Sequence, residues 1–171
     1  KKDNVIEMSA LEHSVREKLD ESSARRMVVL RPLKVILTNF DESKDETLVA
    51  KNHPKRAELG ERKISFAKEL YIERDDFMED APGKFFRLKP GGEVRLRYAY
   101  IIKCDEVIKN SDGEIIELHC SYDPDTRSGT GTSDKKVKGT IHWVSVKHSF
   151  SAEIRLYDRL FSEPDPGTSD D

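Results

Sequence analysis

Cysteine is scarce in this chain. Cys104 and Cys120 are the only two among 171 residues. That count excludes a disulfide framework, and their separation lacks the paired Cys-x-x-Cys spacing of a zinc site. They flank a turn-forming stretch at residues 110–113, so a hairpin would bring them near each other across two strands. They read as reduced core thiols of a cytosolic protein. No apolar run is long enough for a membrane span, and no signal-peptide pattern is present, so secretion and membrane functions find no support. Hydrophobic residues reach only 36%, against 37% charged. A single thick core is not expected from that balance; two thin-walled units suit it better.

Catalytic signatures are missing as well. There is no phosphate-cradling Gly-x-x-x-x-Gly-Lys-[Ser/Thr], no Gly-x-Ser-x-Gly elbow and no His-Glu-x-x-His. The histidines, His13, His53, His119, His142 and His148, are scattered without carboxylates at metal-ligand spacing. Gly91-Gly92 has no helix behind it to aim amides at a phosphate, and reads as a strand-joining turn. The carboxylate pairs Asp75-Asp76 and Glu79-Asp80 read as helix-start or surface groups rather than as a hydrolytic pair. Local chemistry therefore describes a binding module without an active site and without a metal.

What is present is an uneven distribution of charge. The net charge is −3. Yet residues 51–103 hold 13 Lys and Arg against 9 Asp and Glu, while residues 104–171 hold 8 against 14. A local basic face on an acidic body can attract nucleic acid without binding every polyanion. Within the basic third lies Gly83-Lys84-Phe85-Phe86-Arg87-Leu88, followed by Val94-Arg95-Leu96-Arg97-Tyr98. On a strand, Arg95 and Arg97 would share one face, with Val94, Leu96 and Tyr98 toward the core. Guanidinium forks beside exposed rings suit unpaired bases, which stack on rings and bond guanidinium groups at their edges.

The apolar spacing predicts a helix over residues 3–19, with Ser9 and Glu12 as a capping box. Strand signals follow at 27–30, 33–38, 64–72, 137–146 and 152–161. A long hairpin of residues 93–109 and 114–122 is centred on Ser111-Asp112-Gly113. Residues 124–136 read as a mobile polar loop, and 163–171 as a disordered tail. Many short strands behind one helix predict a mostly β fold with Greek-key-like barrels.

Several blocks, in order along nearly the whole chain, resemble the C-terminal half of the glutaminyl-tRNA synthetases. They include Arg25 through Val35, Asn52-His53-Pro54, Glu69 through Phe77, Phe86-Arg87-Leu88, Val94 through Ile102, Lys136 through Val144 and Glu153 through Phe161. Lys-Gly-Thr-Ile-His-Trp-Val and Arg-Leu-Tyr-Asp-Arg-Leu-Phe are the most specific. The resemblance implies a short helical stem-contacting segment (1–24), two interwoven β-barrels similar to the ribosomal protein L25 family (25–162), and a tail (163–171). It implies that the barrels grip a tRNA anticodon loop. Arg25 would meet the middle anticodon base, Arg87 the third, and Arg95 and Arg97 the first, with Phe85 or Phe86 available for stacking. Phe86 stands where the family often has lysine, so third-base recognition would lean on stacking.

By the same resemblance, the parent enzyme is a class I glutamine–tRNA ligase of the cytoplasm that uses ATP and Mg²⁺. The family's His-Ile-Gly-His and Lys-Met-Ser-Lys-Ser signatures are absent here. They are expected in a catalytic domain upstream in the same polypeptide, and these residues alone should catalyse nothing. The implied partner is glutamine tRNA, not DNA or a membrane. The related glutamyl-tRNA synthetases of eukaryotic and archaeal type, or a stand-alone RNA- or protein-docking barrel, are the alternatives.

Overall fold

A computed structural model describes residues 7–130 and 133–158. These fall into two units: residues 25–151, and the described parts of 1–24 and 152–171.

In the second of these, helix α1 runs Met8–Ser22, and none of its residues is buried. Its apolar stripe of Met8, Leu11, Val15 and Leu19 is exposed. The expected capping box does not form. The helix starts one residue ahead of Ser9, so Ser9 lies inside the first turn and its hydroxyl donates to Glu7 Oε2 at 2.9 Å. At the other end, residues 152–158 make no strand and are exposed, contrary to the alternation around Ile154 and Leu156. A strand needs a ladder partner, and no described strand offers one. Arg155 does pair with Glu153 at 2.6 Å, as its acidic neighbours suggest. The expected helical start at 3–6, Arg159 and the tail lie outside the described residues.

Residues 25–151 are built around a seven-stranded sheet. Its strands are β1 (Pro32–Leu37), β4 (Glu69–Glu73), β5 (Glu93–Leu96), β6 (Ile101–Lys109), β7 (Ile115–Asp123), β8 (Thr140–Ile141) and β9 (Trp143–Ser145). β2 (Glu46–Lys51) and β3 (Glu61–Phe66) form a separate antiparallel pair. Spatial order in the large sheet is β8-β5-β6-β7-β1-β4-β9. The two edges, β8 and β9, are consecutive in the chain, with His142 alone between them. β8 joins β5 in parallel, and β9 joins β4 antiparallel. One short segment thus bridges both edges and nearly closes the sheet into a barrel, which removes the open edges that invite aggregation. The mostly β, barrel-type architecture behind a leading helix is as the sequence implied.

Alternation explains the interior. In β1, Leu33, Val35 and Leu37 point inward while Lys34 and Ile36 stay half-buried. Val94, Leu96, Ile102, Cys104, Leu118 and Cys120 fill the adjoining layers. Cys104 and Cys120 are direct register partners in the β6–β7 hairpin, and both are buried and free. Phe66 sits at the centre of a ring cluster, edge-on to Trp143 at 5.2 Å and to Phe40 at 5.3 Å. Tyr100 and Tyr122 complete it. Edge-to-face pairs add about 0.5–1.5 kcal/mol beyond burial.

Other expectations change. Residues 27–30 form no strand, and the strand expected over 137–146 is two short ones, β8 and β9, on opposite edges of the sheet. Residues 93–109 are not one strand, because the chain reverses at 97–100. Ala99 N donates to Leu96 O at 2.9 Å and Leu96 N to Tyr100 O at 2.8 Å. Tyr98 takes φ 63° to make that turn. Tyr98 therefore leaves the core face, and Arg97 is a turn residue rather than a strand partner of Arg95. The loop after β7 is also not loose at its start. Thr126 is buried; its hydroxyl accepts from Ile101 N at 2.9 Å and donates to Asp123 O at 2.6 Å.

Candidate nucleic-acid interface

A groove of about 380 Å³ opens on the barrel unit, lined by Arg25, Arg26, Arg62, Arg97, Tyr98 and His142. Met27, Val28 and Pro54 add apolar surface. No acidic residue is among those lining it. Segments distant in sequence meet here, and the backbone explains why.

Asn52, the residue after β2, is the hub. Its amide donates to Gly60 O at 3.0 Å, and its carbonyl accepts from Arg25 N at 2.6 Å. Its side-chain Nδ2 donates to Leu59 O at 2.9 Å. The carboxamide Oδ1 accepts from Arg26 at 3.1 Å and from Arg62 at 3.4 Å. Both polar atoms of this one side chain are used, and they tie the segment leading into β1 to the β2–β3 hairpin. Arg62 also donates to Lys51 O at 3.1 Å. Burial, and then the charge of Arg26, holds the Arg62 guanidinium below its ordinary pKa.

Arg97 reaches the groove from the turn after β5. Its amide donates to Ile141 O at 2.9 Å, and its carbonyl accepts from Trp143 Nε1 at 2.9 Å. The β8–β9 segment therefore holds the Arg97 backbone on both sides, while the Arg97 side chain is exposed.

The other sequence-identified residues lie elsewhere. Arg95 is half-buried and donates to Thr126 O at 2.7 Å and Ser128 Oγ at 3.3 Å, pinning the loop after β7. Arg87 Nε lies 3.3 Å from Asp76 Oδ1, and its Nη1 donates to Asp75 O at 3.0 Å. Just over half of the Arg87 side chain, 53%, remains exposed. Asp76 lies in the first turn of a short 3-10 helix, Arg74–Asp76, in keeping with the helix-start reading, but it is buried rather than on the surface. Burial raises its carboxyl pKa, against the pull of Arg87 and of His142, whose Nδ1 is 4.0 Å from Oδ2. Phe85 is half-buried and Phe86 exposed. The Lys138 ammonium stands 5.1 Å over the Phe86 ring, a cation–π contact. That contact restores near Phe86 the positive charge that its own position lacks.

The sequence reading brought Arg25 and Arg97 to this surface but missed Arg26, Arg62, Tyr98 and His142. Arg62 could have been found by recognising the β2–β3 hairpin, whose second strand, Glu61–Phe66, alternates weakly. Tyr98 carried no local signal, since a left-handed tyrosine is rare.

Comparison with known proteins gives a consistent set of likenesses. Residues 23–123 match the family model described as class I (E and Q) tRNA synthetases, anticodon-binding domain, and residues 140–171 match a second model of the same description. The chain is 53% identical, over 99% of its length, to a glutamine–tRNA ligase of Bradyrhizobium diazoefficiens, of which it covers 30%. A glutamine–tRNA ligase of Pseudomonas putida is 54% identical over 96% of the chain, which covers 29% of that protein. One of Clostridium perfringens is 51% identical over 94% of the chain, again covering 29% of that protein. The chain thus spans less than a third of the relatives it matches.

Proposed function

The chain belongs to the anticodon-binding domain family of the class I (E and Q) tRNA synthetases, and on that premise we propose that its basic groove receives the anticodon of glutamine tRNA. The observation that carries this is the groove itself: four arginines, a half-exposed tyrosine and no acid around one opening. Unstacked bases need ring surface and guanidinium donors together, and this surface supplies both. Arg25 and Arg97 act as direct readers there. Arg87 meets a further base at the rim, with Asp76 orienting it and the Phe85-Phe86 segment beside it. Arg95 contributes by fixing the loop after β7. In this reading residues 25–162 form the anticodon-binding region, and residues 1–24 meet the tRNA stem.

The parent polypeptide would ligate glutamine to that tRNA with ATP and Mg²⁺, through a catalytic domain elsewhere in its sequence. Glutamine is favoured over glutamate because the relatives described above are named for glutamine. The buried free thiols of Cys104 and Cys120 suit a reducing cytoplasm. The test is a binding titration of the full-length protein with glutamine tRNA and with anticodon-substituted tRNA across salt concentrations, beside charging assays with both amino acids. Preference for the native anticodon at every salt, with glutamine charged, is expected. Equal affinity for all anticodons would overturn the reading, and glutamate charging would move it to the sister enzyme.

A further inference from the structure

Arg26 and Arg62 both donate to the single carboxamide oxygen of Asn52. That oxygen is neutral and cancels neither charge. The other acceptors of these two guanidinium groups are main-chain carbonyls, Arg25 O at 2.7 Å and Lys51 O at 3.1 Å. No carboxylate pairs with either arginine among the described residues. Arg62 is half-buried, so water screens the pair incompletely. Elsewhere on this unit Arg87 has Asp76, Arg127 has Glu46 and Arg56 has Glu58, while Arg74 and Arg95 donate to neutral oxygens. Two like charges gathered on one neutral oxygen, beside a groove with no acid in its lining, describe a site that gains by receiving an anion.

We propose that Arg26 and Arg62, held together by Asn52, bind a backbone phosphate of the RNA strand whose bases Arg25 and Arg97 meet. This rests on the anticodon reading for the identity of the strand. The phosphate oxygens are bonded by N–H donors that each arginine still has available, since a guanidinium carries five. Asn52 sets the spacing of the two forks. Because a phosphate is the same at every nucleotide, this contact anchors the strand and fixes its register without reading sequence. It also separates the groove into an anchoring side, formed by Asn52 with Arg26 and Arg62, and a reading side, formed by Arg25, Arg97 and Tyr98.

The experiment measures affinity of the full-length protein for glutamine tRNA, and for the same tRNA with substituted anticodon, over a salt series. Wild type, Arg62→Gln, Arg62→Lys and Arg26→Gln are compared, each with a thermal melt to confirm folding. Arg62→Gln is expected to weaken both tRNAs by the same factor and to reduce the salt slope by about 0.7, the value for one contact on single-stranded RNA. Arg62→Lys should keep the slope. If Arg62→Gln does not fold, Arg26→Gln gives the same readout. Unchanged affinity in both Gln variants, or a change confined to one anticodon, overturns the phosphate site. A wild-type protein with no anticodon preference, whose slope still falls in Arg62→Gln, overturns the anticodon reading and leaves the phosphate contact standing.

Discussion

Trp143 Nε1 donates to the carbonyl of Arg97 at 2.9 Å. One partner is 1% exposed in the centre of the barrel; the other presents its side chain to the groove. The core thus sets the position of a surface arginine through a single bond. The neighbouring bond from Arg97 N to Ile141 O means that β8 and β9 clamp the same residue.

Trp143→Phe tests that link. The ring still packs against Phe66, but the donor is lost and a void remains. Stability should fall by about 1–3 kcal/mol, the sum of one hydrogen bond and a reduced side chain. Urea denaturation measures this. tRNA affinity should fall too, because the turn bearing Arg97 loses one of its two ties.

Arg95→Ala should separate structure from recognition. Its bonds to Thr126 O and Ser128 Oγ close the loop after β7. Removing them should expose that loop to limited proteolysis and lower the melting temperature. The ratio of affinities for native and substituted anticodons should hardly move.

Gly139→Ala should be destabilising by about 1–3 kcal/mol or more, as overpacking usually is. A methyl group there would collide with the main-chain oxygen of Phe86, and backbone cannot yield as a side chain can. Gly139 O also accepts from Arg95 N at 2.9 Å, so any shift spreads along β5. Thermal denaturation measures the loss, and Gly139→Ser should be no better.

Lys34 crosses three strands, bonding Glu69 at 3.0 Å on β4 and approaching Glu117 at 3.8 Å on β7. The Glu69 hydrogen bond, against burial, raises its pKa above the ordinary 10.5. Its folded value is the higher one, so its contribution to stability is complete below 10.5 and is lost as pH climbs through the raised value. Wild type should therefore exceed Lys34→Met in urea midpoint at neutral pH, and the gap should narrow only above 10.5.

Much of this was legible in the chain. The β-rich run Leu33–Thr38, too apolar to alternate cleanly, and the Ser-Asp-Gly turn locate β1 and the β6–β7 hairpin, because burial and turn chemistry decide them locally. The turn alone does not set Cys104 against Cys120, because the ladder shifts register twice on the way, between Ile108 and Lys109 and between Cys104 and Glu106. Arg97 was singled out by its place among guanidinium groups and rings, and Arg25 through resemblance. What stayed hidden depends on contacts between distant segments. The reversal at Tyr98 is imposed by pairing of β5 with β6, and overrides a sequence that reads as one strand. The division of residues 140–145 into strands at opposite edges of the sheet is a closure effect, invisible to local pattern. Arg87 and Arg95 looked equivalent to Arg97, yet Asp76 and Thr126 were brought to them by the fold.

The most direct measurement compares wild type and Arg97→Ala in the full-length protein, by equilibrium affinity for glutamine tRNA and for the same tRNA with its anticodon substituted. A base contact contributes about 1–3 kcal/mol of discrimination. Arg97→Ala should therefore lose about tenfold of the preference while ATP binding stays intact. An unaltered preference would contradict the assignment of this groove to the anticodon.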